Sequence, residues 1–179
     1  MNKKTLAGKK AAMVIACQDF KDEEYFVPKK ILAEAGAEVK TFSNKMGVAV
    51  GSGGGETLVD FLVENLNPAD FEVVVFVGGS GCLPNLDNEN SYRVARETVA
   101  RNKILAAICI APVILAKAGV LRGKKATVWN SPADKSDIET LEENGAVFED
   151  KPVVQDGRII TANGPAAAQE FGETISEAL

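Results

Sequence analysis

The sequence predicts a three-layer α/β/α sandwich built on a mostly parallel central sheet. Apolar, β-branched runs alternate with stretches of helical period along the whole chain, which is the pattern of strands and crossover helices. Runs such as Val73-Val74-Val75-Phe76-Val77 are apolar at every position, so they read as strands buried on both faces. No repeat or linker interrupts the pattern, and residues 1–179 suffice for one domain with a real core and no covalent staple.

In chain order, the strands are expected at 11–16, 39–42, 73–77, 104–108, 126–129 and 158–161. Between the first two, Val27, Ile31 and Ala35 recur at i, i+4 and i+8 and mark a helix face, with Gly36 as its stop and Pro28 in the first turn or at a kink. Further helices are expected over 91–102, 111–118, 135–144 and 166–178, each closed by glycine, asparagine or the chain end. Gly51-Ser52-Gly53-Gly54-Gly55 reads as a mobile hairpin or loop insertion. Glu56 stands where a dinucleotide fingerprint needs glycine, so the nucleotide signal is weak.

Composition removes several functions. The net charge of −5 argues against a nucleic-acid partner, and the pairs Lys3-Lys4, Lys9-Lys10 and Lys124-Lys125 read as solvated surface. No apolar stretch reaches spanning length, and the run from Ala11 to Ala16 is too short for a signal-peptide core, so no membrane partner and a cytoplasmic location are expected. The three cysteines are widely spaced and read as free thiols. With no histidine anywhere, neither a Cys-His nor a Ser-His-Asp triad can be assembled from the chain, and no metal or cofactor is expected.

The chemistry concentrates in four segments. Cys109 sits between a strand ending at Ile108 and a helix starting near Pro112, with Ala107 and Ala111 supplying the small residues that a nucleophile elbow needs two positions before and after. On that reading the helix N-terminus favours thiolate; a buried core cysteine is the plain alternative. Gly78, Gly79 and Ser80 follow a buried strand and read as a tight turn or as an anion nest at the sheet's C-terminal edge. Asp22-Glu23-Glu24 is either a solvated helix start or the source of a carboxyl for the cysteine. Cys17 and Cys82 border the same edge as plain or resolving thiols, and Trp129 to Pro132, including Ser131, form a pocket wall or a turn.

Several of these residues together resemble the ThiJ/PfpI superfamily: Ala107-Ile108-Cys109-Ile110-Ala111-Pro112, the Val77-Gly78-Gly79 turn, Glu24 four residues before Pro28, and Thr161-Ala162-Asn163-Gly164-Pro165. The resemblance covers roughly residues 10–179. It implies a flavodoxin-like fold, Cys109 as nucleophile, Glu24 as its carboxyl partner, and the amides of Gly79 and Ile110 as an oxyanion hole. The superfamily's peptidase branch carries histidine after the cysteine, where this chain has Ile110, so the sequence is more similar to the stress-response branch, in which a homodimer is usual. The resemblance therefore implies action on small reactive carbonyls (glyoxalase or deglycase-like), or alternatively a redox sensor or chaperone, with peptide hydrolysis disfavoured.

Overall fold

In the computed structural model, which describes residues 5–179, the chain runs as strands β1 (Lys10–Ile15) and β2 (Gln18–Phe20), then helix α1 (Asp22–Glu34). Strands β3 (Glu38–Ser43), β4 (Gly47–Gly51), β5 (Glu56–Val59), β6 (Phe61–Leu62) and β7 (Val73–Phe76) follow. Next come helices α2 (Cys82–Leu86) and α3 (Glu89–Ala100), strand β8 (Ile104–Ile108), helix α4 (Pro112–Lys117), strand β9 (Lys125–Ala126) and helix α5 (Ser136–Glu143). Strands β10 (Val147–Phe148), β11 (Val153–Asp156) and β12 (Ile159–Ala162) and helix α6 (Ala168–Ala178) complete the chain. The Lys3-Lys4 pair lies outside the described residues.

The central sheet has the order β11-β12-β8-β7-β1-β3-β6, parallel throughout except for the β11/β12 hairpin at one edge. Its middle strands are as dry as their sequences require: every residue of β7 and β8 is buried. The alternation of side chains divides the core in two. Val74, Phe76, Leu105 and Ala107 belong to one layer, while Val73, Val75, Ile104, Ala106 and Ile108 belong to the other. The first layer packs on α3 and α4, and the second on α1 and α6. No helix among the described residues is long and apolar enough to cross a membrane.

Two details differ from the sequence reading, and a third decides between its alternatives. The strand expected over 126–129 is only the two residues of β9, paired with β10 outside the central sheet. The following residues are drawn off by other partners: the Thr127 amide donates to Thr161 Oγ1 at 2.9 Å and the Trp129 amide to the Cys109 carbonyl at 2.8 Å. In α1 the fully buried positions are Glu24, Tyr25, Pro28 and Leu32, one step round from the Val27/Ile31/Ala35 face, which is half-buried. Pro28 lies well inside the helix, so Glu24 loses its i+4 amide partner, and that is the physical content of their spacing. Finally, the glycine run is the turn of a β4/β5 hairpin that joins β2 in a small second sheet.

Candidate active site at the C-terminal edge of the sheet

Strand β8 stops because Cys109 takes a left-handed backbone conformation, φ 65°. The other non-glycine residues with positive φ among those described are Asp19 and Asn102, types whose short polar side chains ease that geometry. Cysteine has no such relief, so about 1–3 kcal/mol of strain is held at this turn by its surroundings. The anchors are the Cys109 amide on the Ala162 carbonyl at 2.9 Å, the Trp129 amide on the Cys109 carbonyl, and the Ala111 amide on the Ile108 carbonyl at 3.2 Å. Ala107 and Ala111, both fully buried, leave room for the sharp turn.

Glu24 reaches the same point from the first turn of α1. Its side chain is completely buried, and Oε2 accepts the Gly78 amide at 3.1 Å. Oε1 is buried with no nitrogen or oxygen partner, and the Cys109 thiol is the side chain's remaining hydrogen-bonding neighbour. Gly78 is the floor of this contact. A Cβ there would stand 2.6 Å from Cys109 Cβ, 2.7 Å from Glu24 Oε2 and 2.9 Å from the Ile108 carbonyl oxygen, so only glycine lets the three converge. Gly79, at φ 107°, is pressed onto the β2/α1 connection, where a Cβ would lie 2.5 Å from both the Asp19 carbonyl oxygen and the Lys21 nitrogen.

Burial pushes the Glu24 carboxyl up to about 7, against the opposing pull of the Cys109 contact, the Gly78 amide and Lys21. The Cys109 thiol is also pushed up, first by burial and then by the Glu24 carboxylate, while the Gly79 and Ile110 amides pull it down. Helix-end stabilisation of a thiolate, expected from the sequence, is therefore outweighed, first by burial and further by an ionised Glu24. The two groups are coupled: an ionised Glu24 raises the thiol further, and when Glu24 is neutral that repulsion disappears and the carboxyl can donate to sulfur.

The remaining candidates lie around this centre without joining it. Cys17 is half-buried, its amide bonded to Asn44 Oδ1 at 2.9 Å. Cys82 is fully buried at the start of α2, its thiol pushed up by burial and by Glu24, and all three cysteines are free. Ser80 is exposed at the turn. Ser131 spends its hydroxyl on the Asp134 amide at 3.1 Å within its own turn. Trp129 is 46% exposed, its ring lying over Gly164, where a Cβ would be 2.9 Å from Cε3. Asp22, one of the three acids read as a helix start or a carboxyl for the cysteine, instead binds the glycine turn. Its carboxylate accepts the amides of Gly53 and Gly55, each at 2.7 Å, a contact between segments some thirty residues apart that no local sequence signal announces.

The model of the DJ-1/PfpI family matches residues 9–178. The chain belongs to the DJ-1/PfpI family. Among its DJ-1/PfpI relatives, an uncharacterised protein of Methanocaldococcus jannaschii is 40% identical over 171 residues, 95% of this chain and 82% of that protein. A protein named as a deglycase in Pyrococcus abyssi is 33% identical over 153 residues, 86% of this chain and 89% of that one. The crystal structure of a ThiJ/PfpI domain protein from Brachyspira murdochii superposes with a TM-score of 0.88 at 33% identity, covering 96% of this chain and 97% of that chain. The flavodoxin-like sandwich is thus the fold shared by this chain and its structural relatives.

Proposed function

We propose that the protein is a cytoplasmic enzyme acting on small reactive carbonyls, glyoxalase or deglycase-like, with Cys109 as nucleophile and Glu24 as its proton partner. The observation that carries this reading is the convergence of a strained Cys109 and a buried, proton-holding Glu24 on Gly78. In the reaction, the Cys109 sulfur forms a bond to the aldehyde carbon while the carbonyl π pair moves onto oxygen. The oxyanion lies against the Gly79 and Ile110 amides, and Glu24 supplies the proton that neutralises it as a hemithioacetal. With a 1,2-dicarbonyl such as methylglyoxal, the Glu24 carboxylate then takes the proton from the hemithioacetal carbon and delivers it to the neighbouring carbonyl carbon, leaving a thioester on Cys109 that water hydrolyses to the hydroxy acid and the free sulfur, with the carboxyl reprotonated. The deglycase names of archaeal relatives support the same class of substrate.

Addition to an aldehyde suits a site without imidazole, because no amine has to be protonated to leave. Amide hydrolysis does require that proton, and the position after the nucleophile is Ile110 in a chain without histidine. A second reading, a redox sensor, draws support from the same carboxyl: a neutral Glu24 would donate a hydrogen bond to a sulfinate formed on Cys109. Both readings take the protein as a homodimer, and the exposed cross-strand pair Val48 and Leu58, with Met46, offers an apolar surface for it.

The deciding experiment follows methylglyoxal consumption by the purified protein beside its Cys109→Ser variant, with a fluorogenic peptide library as a parallel substrate. Turnover of methylglyoxal that disappears in the variant is the expected result. Absence of turnover with stoichiometric oxidation of Cys109 favours the sensor, and Cys109-dependent peptide cleavage overturns both.

A further inference from the structure

We propose that the Gly51–Gly55 turn is a cradle for the Asp22 carboxylate, and that Asp22, seated in it, is a positioning residue for Glu24. The inference rests on the Cys109–Glu24 partnership described above and assigns a task to the one glycine-rich motif that partnership leaves unused.

The geometry of the turn is specific to a carboxylate. Asp22 Oδ2 accepts the Gly53 amide and Oδ1 the Gly55 amide, each at 2.7 Å. A Cβ at Gly51 would stand 2.5 Å from Asp22 Oδ2, one at Gly53 would stand 3.0 Å from it, and one at Gly55 would fall on Oδ1 and lie 2.6 Å from Phe26 Cε2. None of these three glycines has positive φ, so room for the carboxylate, not backbone conformation, is what requires glycine at 51 and 55. Ser52, between them, is exposed and contributes its amide to the Phe20 carbonyl at 2.9 Å.

Asp22 needs this external partner because its helix is poorly fastened. The N-cap, Lys21, makes no side-chain cap, and Pro28 removes the amide that would bond the Glu24 carbonyl. What holds the first turn of α1 is therefore the hairpin, gripping residues on both sides of Glu24. Asp22 binds the turn, and the buried Tyr25 hydroxyl meets Thr41 Oγ1 at 2.6 Å and Thr57 Oγ1 of β5 at 3.0 Å, with Lys29 Nζ donating to it at 2.7 Å. Glu24 itself has one protein amide and the thiol as partners. Its distance from sulfur is consequently set by the rotation and depth of this turn, which the cradle fixes.

The test is the pH profile of Cys109 alkylation by iodoacetamide, read by intact mass and peptide mapping on the full chain. In the wild type burial and the Glu24 carboxylate hold the Cys109 thiol above its ordinary range, so the rate is low at pH 7 and rises only in alkali. With Asp22→Ala or Gly55→Ala, Glu24 withdraws from the sulfur, the inflection moves down towards the ordinary thiol range, and the rate at pH 7 rises about tenfold, the change that a one-unit displacement produces. Asp22→Asn, which keeps the shape and one acceptor oxygen, gives an intermediate profile and serves if the alanine variants fail to fold. Ser52→Ala overlays the wild type. Profiles of folded Asp22→Asn and Gly55→Ala that overlay the wild type, while Glu24→Gln is displaced, would overturn the inference. Because alkylation needs no carbonyl substrate, absence of methylglyoxal turnover together with displaced profiles refutes the proposed enzyme and leaves the cradle standing, and turnover with overlaid profiles does the reverse.

Discussion

Replacing Glu24 by glutamine should make the protein more stable above neutral pH, although it removes a residue of the candidate active site. The carboxyl rises from an ordinary value of 4.5 to about 7 because burial disfavours its charged form. Between those two values the folded protein holds a proton that the unfolded chain has released, so wild-type stability falls as pH rises through this window. A displacement of that size corresponds to about 3 kcal/mol. The contribution is fully present below pH 4.5 and gone above 7. Glutamine is close in shape, retains an acceptor for the Gly78 amide and has nothing to ionise. Groups that titrate elsewhere cancel in the difference between the two proteins. The assay is urea unfolding of both at a series of pH values from 4.5 to 8. The stability difference should drift in favour of Glu24→Gln by up to about 3 kcal/mol, of the order of 6–12 °C in melting temperature for a chain of this size. Burial is the largest cause of the shift, so most of the drift should persist in a Cys109→Ala background. A difference that stays constant across the range would refute the claim that Glu24 is carried protonated into the fold.

Two other expectations concern the thiols and the turn beneath them. Limited alkylation followed by peptide mass analysis should leave Cys82, which is fully buried with its thiol pushed up, for last, behind the half-buried Cys17 and Cys109; labelling of Cys82 first would contradict the burial described here. Gly78→Ala should raise Cys109 alkylation at pH 7 about tenfold, because the new methyl must part the cysteine from the carboxyl that holds its thiol up, and an unchanged rate would show that the two side chains do not depend on this close approach.

The alternation of apolar runs and helical periods was enough to read the sandwich, and the strand over Ile104–Ile108 lies where its sequence ends it. Cys109 was legible for the same reason: a nucleophile elbow is a local structure, and alanines at 107 and 111 are a local requirement. Where a segment's structure depends on distant partners, the sequence misled. The residues 127–129 have strand composition, yet Thr161 and Cys109 take their amides and leave only Lys125–Ala126 to pair. The face of α1 was read one position out, since which side of a helix becomes the core depends on where α6 and the sheet lie, and the partly buried Ile31 proves to face Gly172 of α6.

What the sequence determined alone is the set of chemical possibilities: one thiol on a turn, carboxyls near the end of the first strand, glycines after another strand, and no imidazole to complete a triad. The resemblance singled out Glu24, but only the tertiary structure shows which of the neighbouring carboxyls lies beside the sulfur and how its burial shifts its proton affinity. Asp22, Glu23 and Glu24 are adjacent and chemically similar, yet Glu23 is exposed, Asp22 is seated in the glycine turn, and Glu24 is enclosed against sulfur. A carboxyl's proton affinity is set by the solvent it loses and the partners it gains on folding, and both are brought by chain segments more than fifty residues away, at Gly78 and Cys109.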